Sequence, residues 1–255
     1  MKYFVISDVH SYYDEMMAAL ASAGFDENDS NHMLIMDGDL MDRGPKTVEV
    51  IDYAKKLLAK GKVILIMGNH EYNMIHMLKR GIFDETDYSN GTAKSAHHLA
   101  GDLSFSDEGR EYFSEPISKM GEICDKAKKS GIIGFIQDNF RDYAETKTHI
   151  ITHAWIPLKM SYASAAERFG VPADKSACRK WWPTIDDIYY AGCGDFVYVA
   201  QWRKASPSNW EVSTWGPSPE MYDQGNVFPK GKKLVIGHYH CSEFNFRFKK
   251  DEEPR

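Results

Sequence analysis

Residues 32–44, HMLIMDGDLMDRG, read as a short apolar strand that runs straight into a polar turn. Residues 32–36 supply the strand, Asp37-Gly38-Asp39 ends it, and Asp42, Arg43 and Gly44 follow at once. A strand this short and apolar fits the interior of a parallel sheet, where both faces are covered. The charged turn at its carboxyl end is where open α/β sheets place ligands. The same pattern recurs on both sides. Residues 2–7, KYFVIS, read as a buried strand ending at Asp8-Val9-His10, and residues 63–67 as a third ending at Gly68-Asn69-His70-Glu71. Between and after them, residues 12–23, 47–58 and 71–79 carry helix formers with apolar spacing, bounded by Gly24, Gly61 and Gly81. Strand, polar turn and helix in repetition predict an α/β sandwich.

Further along, residues 82–148 are polar and irregular with helical patches such as 115–129, and read as a mostly helical insertion or cap. A strand over 149–152 ends at His153, another runs through 188–202, and the last, 233–236, ends at Gly237-His238-Tyr239-His240. No internal repeat or Pro/Ser-rich linker interrupts the chain. The expectation is therefore one domain over residues 1–255 carrying the insertion at about 82–148.

Composition narrows the classes. The 255 residues are 43% hydrophobic and 27% charged, with 19 Gly and 10 Pro, which excludes collagen-like and disordered chains. The longest dense apolar run, 63–67, is far below the ~20 residues of a membrane helix. Residues 3–6 before Asp8 are too short for the apolar core of a signal peptide, so a cytoplasmic chain without a membrane partner is expected. Lys plus Arg is 31 against 37 Asp plus Glu, a net charge of −6. A polyphosphate backbone repels such a chain, so no specific nucleic-acid partner is expected. Cys124, Cys178, Cys193 and Cys241 form no C-x-x-C pair and read as reduced, mostly buried thiols.

The chemistry sits in five clusters, each after a strand: Asp8-Val9-His10, Gly38 to Gly44, Gly68 to Glu71, His153, and Gly237 to His240. Each alone is weak. D-x-H is common on surfaces, Asn69 could simply cap a helix, and an isolated His153 could be a satisfied core histidine. Together, carboxylates, an amide and imidazoles on strand ends make a mixed nitrogen and oxygen donor set that suits manganese, iron or zinc. Asp8 and His10, like His238 and His240, stand two residues apart, so on extended backbone each pair projects to one side.

In that order, D-x-H, G-D-x-x-D-R-G and G-N-H-E resemble the calcineurin-like metallophosphoesterases, specifically the phosphoprotein phosphatase branch with its bacterial Ser/Thr phosphatases and dinucleoside tetraphosphatases. The resemblance implies a four-layer α/β/β/α sandwich with a two-metal site at strand ends. It implies that Asp8, His10 and Asp39 hold one divalent ion, with Asp39 bridging to a second completed by Asn69, His153 and His238. His240 resembles an extra ligand of the first ion. Manganese is the expected metal, with iron or zinc as alternatives. The resemblance further implies attack by a hydroxide bridging the ions, with His70 as general acid paired to Asp42 and with Arg43 and Asn69 toward the phosphoryl group. The expected activity is hydrolysis of phosphoserine or phosphothreonine in proteins. The alternative is symmetrical cleavage of dinucleoside tetraphosphates, and a phosphorylated protein or small phosphorylated molecule is the expected partner.

The chain also departs from that pattern. Met67 stands where the protein phosphatases of higher cells place an arginine before G-N-H-E. Arg203, after Trp202, resembles a later phosphate-binding arginine; the plainer reading is a surface arginine covering an aromatic ring. Trp155 stands in place of a small residue after the fourth motif, where it could shape the pocket. All six tryptophans fall within 155–215, as a base-stacking platform or, more simply, as packing. His97-His98 falls outside the metal pattern and reads as surface or cap. Only 15 residues follow His240, fewer than the family usually carries there. A catalytically silent metal scaffold would require the acid or arginine to be lost, yet His70, Asp42 and Arg43 are all present.

Overall fold

The computed structural model describes residues 1–103, 105, 116–157, 159–161, 188–189, 196–199, 202–205, 207–215 and 231–238. The chain divides into two compact units: residues 1–153 with 234–255, and residues 154–233.

The first unit is built on a parallel sheet in the order β1 (Lys2–Ile6), β2 (His32–Asp37), β3 (Val63–Ile66) and β4 (Phe140–Arg141). Helix α1 (Tyr13–Ala23) joins β1 to β2, and α2 (Thr47–Ala59) joins β2 to β3. Parallel neighbours need such crossovers because a tight turn cannot reverse the chain twice. Alternate residues of the strands face opposite ways. Phe4, Leu34, Met36, Val63 and Leu65 pack with Met16, Leu20, Val50, Ala54 and Leu57 of the two helices. Ile35 and Ile66 point the other way, onto Ala144 and Ile151 of a second sheet. That sheet has the order β10, β6, β5, with β5 Ala144–Glu145, β6 His149–Ile151 and β10 Lys233–Val235. Helices, parallel sheet and second sheet are thus three of the four expected layers, seen among the described residues. Burying residues such as Leu34, Ile35 and Leu65 stabilises the unit by about 1.5–3 kcal/mol each.

Beyond β3 lie α3 (Asn69–Arg80), α4 (Glu85–Asn90), α5 (Thr92–Leu99), α6 (Ile117–Lys129) and α7 (Ile132–Asn139). They enclose a core that includes Met74, Leu78, Phe83, Ala96, Met120 and Cys124. The chain then returns to the parallel sheet at β4, a pairing too short for periodicity to reveal.

Several expectations need correction. The first strand is not buried along its length: Phe4 is covered, whereas Tyr3 and Val5, on the opposite face of β1, are 45% and 42% exposed. Helix α3 begins at Asn69, with Gly68 as its N-cap, so Asn69 is not the capping residue. His97 and His98, in α5 within the 82–148 segment, are not surface residues; they are 0% and 2% exposed. His97 stacks on Phe105 at 3.7 Å between ring centroids, and His98 Nδ1 lies 3.2 Å from Thr47 Oγ1. Cys124 is free and buried, as expected of its class; the other cysteines lie outside the described residues.

In the second unit, β9 (Phe196–Val199) pairs antiparallel with both β7 (Lys159–Ser161) and β8 (Ile188–Tyr189). The single strand expected over 188–202 is therefore two short strands, and the chain turns into a 3-10 helix at Trp202–Lys204 before α8 (Pro207–Ser213). Trp202 and Trp210 meet edge to face at 5.8 Å in its core. No helix among the described residues is long and apolar enough to cross a membrane.

Candidate metal centre

The site grows out of the carboxyl ends of β1, β2, β3, β6 and β10. The hydrogen-bond ladder between β1 and β2 continues past their ends. Asp8 N donates to Gly38 O at 3.2 Å, His10 N to Asp39 O at 2.9 Å and Ser11 N to Leu40 O at 2.8 Å. On the other side, Gly237 N donates to His153 O at 2.7 Å and His238 N to Asp8 Oδ2 at 2.9 Å. Four stretches far apart in the chain are thereby fastened to one another, through backbone bonds and the Asp8 carboxylate.

Two groups of donors emerge, and Asp39 belongs to both. In one, ligand atoms of His10, Asp39 and His70 lie within 4.8 Å of one another; in the other, those of Asp39, His153 and His238 do. Asn69 Oδ1 stands in the second group, 3.1 Å from His153 Nε2 and 3.0 Å from His238 Nδ1. Two of these rings are fixed from behind. His10 Nδ1 donates to Met41 O and His153 Nδ1 to Asp37 O, both at 2.9 Å, so that the Nε2 lone pairs face inward. The donor set, its shared carboxylate and these oriented imidazoles fit a pair of divalent ions.

Electrostatics follow from the crowding. Burial raises the Asp39 carboxyl, but its contact with His153 and the charges of His153, His70 and His10 outweigh it, and the net shift is downward. Burial pulls His153 down, yet the Asp39 contact lifts it to about 9. His10 and His238 are lowered, chiefly by burial. Asp37 is enclosed, and burial pushes it up to about 8; neither carboxylate oxygen has a hydrogen-bond partner among the described residues.

A second constellation adjoins the first. His70 Nδ1 meets Asp42 Oδ2 at 2.6 Å, while His70 Nε2 points back toward Asp39, 3.8 Å from Oδ2. Burial lowers His70, but the Asp42 bond and the charges of Asp39, Asp42 and Glu71 outweigh it, so its affinity for a proton is raised. Arg43 is exposed beside this pair.

These observations place the expected residues as follows. His10, Asp39, Asn69, His153 and His238 converge, with His70 and Asp42 adjoining them. Asp8 is held against the backbone of His238 rather than within either close group, and His70 occupies the group where Asp8 was expected. His240 lies outside the described residues. Arg203 belongs to the second unit, exposed, with its guanidinium over the Trp202 ring at 4.4 Å. The sequence reading gave no role to Glu71, although it lies in G-N-H-E. Its carboxylate accepts from Asp39 N, Leu40 N and Gly68 N, each at 2.9 Å, tying two motif loops together. Burial pushes its pKa up to about 7 against those donors.

The sequence matches the family described as calcineurin-like phosphoesterase over residues 1–241. The chain belongs to that family. Its α/β architecture is that of the family. Over 85 residues it is 40% identical to the asymmetrical bis(5'-nucleosyl)-tetraphosphatase PrpE of Bacillus velezensis, covering 31% of this chain and 34% of that protein. Over 75 residues it is 41% identical to the symmetrical bis(5'-nucleosyl)-tetraphosphatase of Klebsiella pneumoniae, covering 29% of this chain and 25% of that protein. The matches thus span about a third or less of the relatives' length. A metallophosphoesterase from Sphaerobacter thermophilus aligns over 62% of this chain and 47% of its own, at 17% identity and a TM-score of 0.35.

Proposed function

We propose that this phosphoesterase hydrolyses phosphate monoesters of alcohols, phosphoserine and phosphothreonine in proteins above all. The observation that carries the reading is the buried His70–Asp42 pair at 2.6 Å. An alkoxide is a poor leaving group and gains most from a proton donor, which is worth roughly 10²–10⁴-fold. A nucleotide phosphate already leaves as a stable anion at neutral pH and gains less.

The residues divide the work. Asp8, His10, Asp39, Asn69, His153, His238 and His240 are the side chains to hold two divalent ions, manganese before iron or zinc. Ions bound there supply Lewis acidity and bring the pKa of a bound water toward neutrality. Arg43 offers a planar fork that fits two phosphoryl oxygens. His70, protonated at Nε2, gives that proton to the leaving oxygen, and Asp42 at Nδ1 holds the ring and stabilises its charged form. Asn69 presents its amide at the same place.

A second reading, cleavage of dinucleoside tetraphosphates, is favoured by the names of the two bacterial relatives and by Met67 in the place of a phosphate-binding arginine. Manganese-loaded protein assayed in parallel on a phosphoserine peptide and on diadenosine tetraphosphate separates the two. Turnover of the peptide, abolished by chelation, is the expected result. Turnover confined to the dinucleotide overturns the first reading in favour of the second.

A further inference from the structure

Helix α5 contributes no residue to any of the five motifs, yet it grips Asp42 twice. Thr92 Oγ1 donates to Asp42 Oδ2 at 2.6 Å, and Asp42 N donates to Ser95 Oγ at 2.8 Å. Thr92, Ser95 and Asp42 are each 0% exposed, so these contacts form away from water. Oδ2 is also the oxygen that meets His70 Nδ1, whereas Oδ1 has no hydrogen-bond partner among the described residues. A carboxylate turns freely about its Cβ–Cγ bond unless its oxygens are held. Here the holding falls on one oxygen and on two donors, one of which is the ring that must itself be aimed. Asp42 has φ 76°, a left-handed conformation that a non-glycine residue keeps only under restraint from its surroundings.

We propose that Thr92 is a positioning residue of the catalytic site: its hydroxyl fixes the plane of the Asp42 carboxylate, which in turn aims His70 Nε2 at the leaving oxygen. The proposal deepens the phosphoester reading above and rests on it. Thr92 touches neither substrate nor ion in this assignment. Its effect passes through Asp42 alone, which distinguishes it from a buried hydroxyl that merely completes the start of a helix.

The test compares Thr92→Val, nearly equal in shape but without the hydroxyl, with Thr92→Ser, which keeps it, each in the wild-type and Asp42→Asn backgrounds. Thr92→Val is expected to lower kcat on a phosphoserine peptide about tenfold, part of the general-acid contribution. KM should stay within about twofold, and p-nitrophenyl phosphate, whose leaving group needs little help, should lose only about twofold. Thr92→Ser should restore the rate, and in Asp42→Asn the valine should add no further loss. Equal losses on both substrates, or the same loss in Asp42→Asn, overturn the proposal. Should the valine variant not fold, Thr92→Ala takes its place. Proton NMR of the zinc-loaded protein gives a reading independent of activity. The hydrogen-bonded His70 Nδ1–H resonance, identified by its disappearance in Asp42→Asn, should move upfield in Thr92→Val and stay in Thr92→Ser. An unmoved resonance also overturns the proposal. If wild-type protein turns over neither phosphate ester, the functional reading fails, while the resonance still decides the role of Thr92.

Discussion

Gly68→Ala adds one methyl group and should dismantle the centre. Gly68 has φ −108°, which alanine adopts without strain, so any effect is steric. A Cβ there would overlap Asp39 Oδ1 and lie 2.5 Å from Asp39 N and 2.8 Å from Glu71 Oε2. That leaves it roughly 1 Å short of ordinary contact with the Asp39 backbone. Yielding means moving the carboxylate shared by both donor groups. It also stretches two buried bonds, His70 N to Asp39 Oδ1 at 3.0 Å and Asp39 N to Glu71 Oε2 at 2.9 Å. Overpacking costs about 1–3 kcal/mol, and weakening the two bonds about 1 kcal/mol or more. A total near 3 kcal/mol corresponds to about 6–12 °C in Tm for a chain of this size. A shift of 1 Å at the reacting groups costs activity about 10²-fold. Gly81→Ala is the control. With φ 78° and nothing within 4 Å of an added Cβ, it tests backbone strain alone, about 1–2 kcal/mol. Calorimetric melting and titration of divalent metal on both variants are the assay. A Gly68→Ala protein that melts no lower than Gly81→Ala and still takes up two ions would refute the close-approach argument.

Three further outcomes are expected. Asp39→Ala should lose both ions, because both donor groups use this side chain; elemental analysis that still finds two per chain would remove its bridging role. His70→Ala should keep its metal but lose about 10²-fold or more in kcat on a phosphoserine peptide, with a smaller loss on p-nitrophenyl phosphate; stopped assays on both substrates give the comparison. Burial pushes the Cys124 thiol up to about 11, so at pH 8 it should react with iodoacetamide far more slowly in the native protein than in denaturant. Peptide mass spectrometry reads the difference, and rapid native labelling would contradict its enclosure.

The central strands of the parallel sheet were legible because they are covered on both faces and therefore largely apolar: residues 32–36 and 63–67 announce themselves, and β2 and β3 match them to within a residue. Strand β4 was not, since two residues of ladder leave no period. The start of α3 was hidden for another reason. Asn69, His70 and Glu71 are polar yet buried in its first turn, so hydrophobic spacing placed the helix two residues late. His97 was misjudged because an imidazole that stacks on Phe105 behaves as an aromatic core residue. The roles of Thr92 and Ser95 arise only when α5 docks, and no local pattern encodes that.

The site motifs were legible by their order, but their backbone was not. Among the described residues, the non-glycine positions with positive φ are Asp8, His10, Ser11, Asp39, Asp42, Arg43 and His238, all within the motifs except Ser11, which directly follows the first. Each costs of order 1–3 kcal/mol, and glycine would avoid it. Glycine, however, carries no ligand, acid or phosphate-binding group. The sequence accepts left-handed backbone where it needs a functional side chain, and the surrounding ladder holds it there. His10 N to Asp39 O, Gly44 N to His10 O and Lys46 N to Ser11 O bond across these residues at 2.8–3.0 Å. Propensity rules applied to residues 8–11 or 38–43 would have asked for glycine or asparagine, and their failure there is itself a marker of the centre. Substituting glycine at Ser11, whose side chain meets Thr47 Oγ1 at 3.0 Å rather than the donor groups, would separate the two demands: relief of strain on one side, loss of a buried hydrogen bond on the other.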